Sequence, residues 1–308
     1  YAALSERVGQ TSRGDMPAAI RAFKSAYLPT LAVSTRVDYD RMLDKIAEAL
    51  QDFNAGTVGP ADCQEVLDQW ADKPTSAKHY RQLMSSFFKW CCAPKQRIRR
   101  DNPMRETETP TVPKRDVTWT PAQYWAVHAK LSPMVQVYHE LSILLYQRTT
   151  DVRYIERAQV QPDTIDFQPT KTVRSSGARV RIPRTPEINA CLARAEAIAL
   201  ELARKRAGSD SVAILRLPPH VIHQADGTPY TASGIRSAYR RAMAECGVAG
   251  VTPKDLRATA ATWADAEGYT LQELKVGLAH TTISTTEGYV KGRAAPTSAV
   301  RMRLPAKN

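Results

Sequence analysis

Apolar residues recur at helical spacing through most of the first hundred positions. Between Thr35 and Leu50, the side chains of Tyr39, Met42, Leu43, Ile46 and Leu50 fall on one face. Pro60 opens a short helix that gathers Cys63, Val66, Leu67 and Trp70. The clearest stripe begins at Pro74, with Thr75 or Ser76 as its cap: Tyr80, Leu83, Met84, Phe87, Phe88 and Cys91 follow at i, i+3, i+4, i+7, i+8 and i+11. Its opposite face carries Lys78, Arg81, Gln82, Ser85 and Lys89. An aromatic stripe of this length is a core, so residues 1–106 are expected to form a small helical bundle.

The pattern breaks at 107–116, which is polar and holds Pro110 and Pro113, as an extended linker would. Beyond it, Thr120-Pro121 should start a helix, and an almost wholly apolar one should run from about Val135 to Arg148. From Thr164 to Pro183 the period changes from helical to alternating. Ile165 and Phe167, then Thr170 to Val173, then Val180 and Ile182 read as a small antiparallel sheet with a turn at Ser175-Ser176-Gly177. Helices return at 186–206, at 233–246 and in three short pieces between 252 and 289. The fold class expected is mainly α with a small antiparallel β-sheet, in two domains, with residues 117–308 forming the second.

Charge changes the picture. The chain has 308 residues with a net charge of +12, divided as +3 on 1–116 and +9 on 117–308. Lys73 to Arg100 contains eight basic residues and no acidic one. Such a face suits a polyanion, because neutralising phosphates releases counterions. Candidate DNA contacts are Lys78, Arg81, Lys89, Arg97, Arg99 and Arg100. No apolar run is long enough to span a membrane, and the amino end has no signal-peptide core. Its first residue is not Met, as expected of a fragment or a renumbered chain. Cys63, Cys91, Cys92, Cys191 and Cys246 form no C-x-x-C pair and are expected as free thiols. His220 and His223 lack neighbouring ligands, and no metal site is expected. The five tryptophans are expected to be packing residues.

Three segments deliver cationic groups to helix starts or turns. Thr149-Thr150-Asp151 precedes Arg153 and Glu156, with Arg153 expected in the first turn of a helix. Thr252-Pro253-Lys254-Asp255 is a capping box followed by Arg257. Thr270-Leu271-Gln272-Glu273 is another, whose helix should end near Gly277, leaving His280 on the next loop. Two guanidinium groups in first helical turns would favour an anion.

Together these segments resemble the tyrosine recombinases, the phage-integrase family. Leu144 to Glu156 resembles the family's first arginine box, Leu-Leu-x-Thr-Gly-x-Arg-x-x-Glu. Asp255 to Thr262 is similar to the second, Leu-Arg-x-Thr-x-Ala-Thr. Leu278-Ala279-His280 to Tyr289 resembles the closing box, in which Tyr follows His by nine residues, and Lys171-Thr172 resembles the family's sheet lysine. Three departures stand out: Lys254 occupies the place usually held by His, Asp151 replaces a Gly, and Ala279 replaces the Gly of Leu-Gly-His, so that Gly277 is expected to supply the flexible position.

The resemblance implies a core-binding helical domain at 1–106 and a catalytic domain at 117–308 that clamp duplex DNA. It implies strand cleavage by Tyr289 through a 3′-phosphotyrosyl link, with Arg153 and Arg257 on the phosphate. His280 would assist there, Lys171 would protonate the leaving oxygen, Lys254 would add charge and Glu156 would orient the cluster. Neither metal nor other cofactor is implied. A homo-tetramer at synapsis, accessory DNA-bending proteins, a bacterial cytoplasmic setting and a role in integrating and excising a phage or mobile element also follow from the resemblance. The motifs equally suit a Xer-type dimer resolvase, and a DNA-binding regulator without turnover is the alternative outside enzymes.

Overall fold

The computed structural model describes residues 15–170, 177–207, 216–280 and 282–291. The chain forms two compact units, Tyr1–Lys114 and Arg115–Asn308. It is mainly helical, with one small antiparallel sheet.

The first unit packs α1 (Met16–Tyr27), α2 (Val33–Ala49), α3 (Pro60–Asp68) and α4 (Pro74–Cys91) around one core. All six stripe residues of α4 are buried, Leu83, Met84, Phe87, Phe88 and Cys91 completely. Pro74 itself is the first helical residue and Lys73 the N-cap, without a side-chain cap from Thr75 or Ser76. Proline at that position loses no helical hydrogen bond, since its N–H would have no partner there. Helix α1 comes in addition to the expected elements, with Met16, Ala19, Ile20 and Phe23 buried at helical spacing. Trp70 lies just past α3 and stacks on Tyr80 at 3.8 Å between ring centroids.

Residues 108–120 have no regular structure. Thr107, at the start of the expected linker, is buried and accepts from Arg81 Nε at 3.1 Å.

The second unit contains α5 (Pro121–His128), α6 (Pro133–Leu144), α7 (Thr149–Arg153), β1 (Thr164–Phe167), β2 (Val180–Pro183), α8 (Pro186–Ala207), α9 (Ala232–Glu245), α10 (Leu256–Ala266), α11 (Leu271–Gly277) and α12 (Ile283–Glu287). Strands β1 and β2 pair with Ile165 opposite Ile182 and Phe167 opposite Val180, and all four side chains are buried. One face of this short ribbon therefore belongs to the core. Gly177 adopts φ +61° ahead of β2, a left-handed conformation that suits glycine. Most of the expected middle strand, 171–173, lies outside the described residues.

Helix α6 buries seven of its twelve residues, in keeping with its apolar pattern, but it ends at Leu144 rather than Arg148. Tyr146 then turns the chain with φ +41°. Trp119 is buried in this core, whereas Trp125 is 59% exposed and meets Tyr124 and His128 only by ring edges at the surface. All five cysteines are free. Burial pushes the Cys63, Cys91 and Cys191 thiols up to about 12, which suppresses thiolate chemistry. Among the described residues no helix is long and apolar enough to cross a membrane.

Candidate active site

Arg257 is the second residue of α10, and the sequence before it explains its placement. Thr252 N and Oγ1 both donate to Asp255 Oδ2, at 2.8 and 2.9 Å, closing the expected capping box over a 3₁₀ turn, Pro253–Asp255. The guanidinium then enters the interior, where Arg257 is 3% exposed. Its Nη2 donates to Leu278 O at 2.7 Å and lies 3.0 Å from His280 Nε2. Its Nε and Nη1 are buried and find no partner among the described residues. Burial lowers its pKa, and nearby Arg148 lowers it further, against the opposing pull of Tyr289 and Asp151.

The capping box of α11 also forms, with Thr270 N donating to Glu273 Oε2 at 2.8 Å, and the helix ends at Gly277. His280 follows on the loop, 8% exposed, with Nδ1 3.0 Å from Thr286 Oγ1. A guanidinium can only donate, so Nε2 is the acceptor of the Arg257 bond, and the neutral ring carries its proton on Nδ1, facing Thr286. Burial, then Arg257 and Arg148, lower the imidazole to about 4, so it is neutral at pH 7.

Tyr289 lies two residues past the end of α12, its N–H bonded to Thr286 O at 2.8 Å. Its ring is 5.0 Å from the imidazole, centroid to centroid, and 5.2 Å from Arg257 Cζ. Thr286 thus holds the imidazole with its hydroxyl and the tyrosine backbone with its carbonyl.

The first arginine box differs from the arrangement the sequence predicts. Arg153 is the last residue of α7, not a first-turn residue, and its Cζ lies over the Tyr154 ring at 4.5 Å. Arg148, the N-cap of α7, is the arginine whose charge is felt by both Arg257 and His280. Arg153 is itself buried, and its Nε also lacks a partner among the described residues. Asp151 lies between the two arginines in the chain. It is buried, with Oδ2 3.9 Å from Arg148 Nη1 and Oδ1 accepting from Thr170 N and Oγ1 at 3.0 and 2.9 Å. Arg148 Nη1 and Asp151 Oδ2 have no hydrogen-bond partner among the described residues.

Arg148 reaches this position because the segment before it is pinned. Gln147 Nε2 donates to Gly277 O at 2.7 Å and to Leu145 O at 3.0 Å. A Cβ on Gly277 would overlap the Tyr146 ring, so that glycine makes room for a side chain rather than supplying a flexible position. Ala279 itself adopts the left-handed conformation, φ +50°, that the family's glycine would take.

The other expected site residues divide. Lys171 lies outside the described residues, and its chain neighbour Thr170 is the residue anchored to Asp151. Lys254 is exposed on the 3₁₀ turn. Glu156 is exposed and, among the described residues, makes no ion pair with Arg153 or Arg257; Asp151 is the carboxylate beside Arg148. In the first unit Lys78, Lys89, Arg97 and Arg100 are exposed. Arg81 and Arg99 are half-buried and turn most of their donors inward. Arg81 bonds Met104 O, Thr107 O and Thr107 Oγ1, while Arg99 bonds Ala55 O and Val58 O and lies over Phe88. The spacing of residues gave no sign of a cleft of about 540 Å³ between α2 and α4, lined by Arg41, Lys45, Ser76, His79 and Gln82. Among the described residues no group of His, Cys, Asp or Glu is arranged to hold a metal ion.

No protein-family model matches the sequence, and no curated protein does. Solved structures do. A lambda integrase dimer bound to a COC′ core site superposes with a TM-score of 0.75 at 15% identity, covering 93% of this chain and 99% of that one. A lambda integrase tetramer bound to a Holliday junction gives 0.76 at 14% identity, covering 94% and 82%. The Tn1549 transposon integrase in complex with circular intermediate DNA gives 0.67 at 15% identity, covering 91% and 96%. At such low identity the shared property is the fold, which this chain has in common with the lambda and Tn1549 integrases.

Proposed function

We propose that this protein is a site-specific recombinase that cuts and rejoins DNA strands through Tyr289. The observation that carries the proposal is buried Arg257 with two unsatisfied N–H donors and half-buried Arg148 with one, beside a neutral imidazole and a phenol. A buried charged donor left without a partner costs several kcal/mol, about 1–3 even for a neutral group, and such groups persist where a ligand completes them. Two guanidiniums against the single carboxylate of Asp151 leave room for one negative charge, which a phosphodiester supplies.

In the reaction the Tyr289 oxygen attacks the phosphorus, forming an O–P bond as the bond to the 5′ oxygen breaks. The products are a 3′-phosphotyrosyl link and a 5′-hydroxyl. Arg257 turns its free Nε–H and Nη1–H, and Arg148 its Nη1–H, onto the non-bridging oxygens, where charge accumulates. His280 Nε2 takes the phenolic proton once the Arg257 Nη2–H that it accepts in the resting site turns to the phosphate, with Thr286 holding the tautomer. Lys171 gives a proton to the departing oxygen, and exposed Lys254 adds positive potential. Attack by a partner 5′-hydroxyl reverses the steps and reseals the strand, so the bond energy is conserved. We extend this to a duplex recombination site bound by four copies of the chain, assisted by accessory DNA-bending proteins, in the integration and excision of a phage or other mobile element.

A nicked duplex that traps the cleaved state tests the chemistry. Wild type should yield a DNA-shifted protein band on a denaturing gel, and Tyr289→Phe should abolish it, by roughly 10³-fold or more, while binding the duplex normally. A band that survives in Tyr289→Phe overturns the assignment. Binding without any band in wild type identifies a regulator instead.

A further inference from the structure

Resting on that proposed function, we infer that Arg115 and Lys291 are positioning residues that splint the Tyr289 segment to the helix start carrying Arg257. Arg115 is the first residue of the second unit and touches both segments at once. Its guanidinium grips Asp255 by two bonds, Nε to Oδ1 at 3.0 Å and Nη2 to Oδ2 at 2.7 Å, and also bonds Gly250 O at 2.9 Å. Its own carbonyl accepts from Lys291 Nζ at 2.9 Å. Lys291 lies two residues after Tyr289 and its side chain is only 12% exposed, with Asp116 Oδ1 at 3.8 Å completing its surroundings.

Besides the apolar packing of Val290 with Ala261, the hydrogen bonds between the two segments among the described residues are few. Thr262 Oγ1 accepts from Lys291 N at 3.1 Å and reaches Tyr289 O only at 3.4 Å. Tyr289 itself follows a five-residue helix, which has little stiffness of its own. In-line attack needs the phenol held to within a fraction of an ångström of the phosphate that Arg257 grips. The splint supplies a second connection: Lys291 to the Arg115 carbonyl, Arg115 to Asp255, and Asp255 through its cap to the turn that launches Arg257. The Asp255 carboxylate stays ionised within the splint. Burial alone would raise its pKa, and the bonds from Arg115 and Thr252 outweigh that and lower it.

The experiment uses the full chain and single-turnover formation of the covalent band on the nicked duplex, with DNA saturating. Lys291→Met should slow cleavage by about 10- to 100-fold, the scale of a misplacement near 1 Å. DNA affinity should stay within about twofold, with an unchanged salt dependence and unfolding midpoint. Lys291→Arg should restore most of the rate. Arg115→Met should slow the reaction similarly, and the double variant should lose less than the two effects combined, because both residues act through one connection. An unchanged rate in Lys291→Met overturns the inference. So does a loss that comes with weaker binding and a shallower salt slope, which would make Lys291 a direct phosphate contact. Wild type giving no Tyr289-dependent band would instead remove the function on which the inference rests.

Discussion

Two pairs of arginines show how differently the two units use buried positive charge. Arg81 and Arg99 in the first unit are tucked against backbone carbonyls, and Arg99 also lies on the Phe88 ring. Their donors are engaged, so they hold loops to helices. In the second unit Arg257 is buried and Arg148 half-buried, yet each keeps a buried N–H with no partner among the described residues, as does buried Arg153. A satisfied buried guanidinium is a brace, and an unsatisfied one marks a place for an anion. Counting basic residues, which first pointed to DNA, cannot separate the two cases.

Acid should separate the units most strongly. The second unit buries His139 and His280 neutral, lowered to about 3 and about 4, in both cases first by burial. The one histidine of the first unit, His79, is exposed. A histidine whose folded pKa lies below its unfolded value of about 6.5 contributes full stability above that pH and loses it as pH falls toward the folded value, at about 1.4 kcal/mol per unit of separation. Asp255 and Glu140, both held below the usual carboxylate range, add a loss of the same sign at lower pH. Calorimetry between pH 7 and 4 should therefore show the second unit's transition falling well before the first's. Parallel decline of both would contradict the assigned tautomer and burial.

A smaller effect probes the other side of the comparison. Arg99→Ala should destabilise the first unit by about 1–3 kcal/mol, since Ala55 O and Val58 O lose their donor. Cleavage at saturating DNA should be unaffected. Denaturant unfolding followed beside the covalent-band assay checks this, and reduced cleavage with unchanged stability would make Arg99 a functional group.

The sequence made much of this architecture legible. The α4 stripe, the β1 and β2 alternation and three capping boxes, at Thr120, Thr252 and Thr270, all report local physics that tertiary structure left intact. So did the order of Arg257, His280 and Tyr289. The nearness of Arg148 to Arg257 and His280 was not legible, because the apolar run of α6 made Arg148 look like a helix end, whereas α6 stops at Leu144 and the left-handed Tyr146 turns the chain before it. A φ angle is not written in the residue name. Nor does sequence tell that Arg81 and Arg99 turn inward, because an exposed and a braced arginine look alike along a basic helix.

The direct test of the central claim is the cleavage rate of Arg148→Lys beside Arg153→Lys, measured as covalent band on the nicked duplex. Both variants keep a positive charge, and only the arginine on the phosphate should need its fork of donors. Arg148→Lys is expected to lose about 10²- to 10³-fold in rate, the scale of removing one transition-state donor, with Arg153→Lys within about threefold of wild type. The opposite ranking, with Arg153→Lys inactive and Arg148→Lys near normal, would contradict the placement of the phosphate site between Arg148 and Arg257.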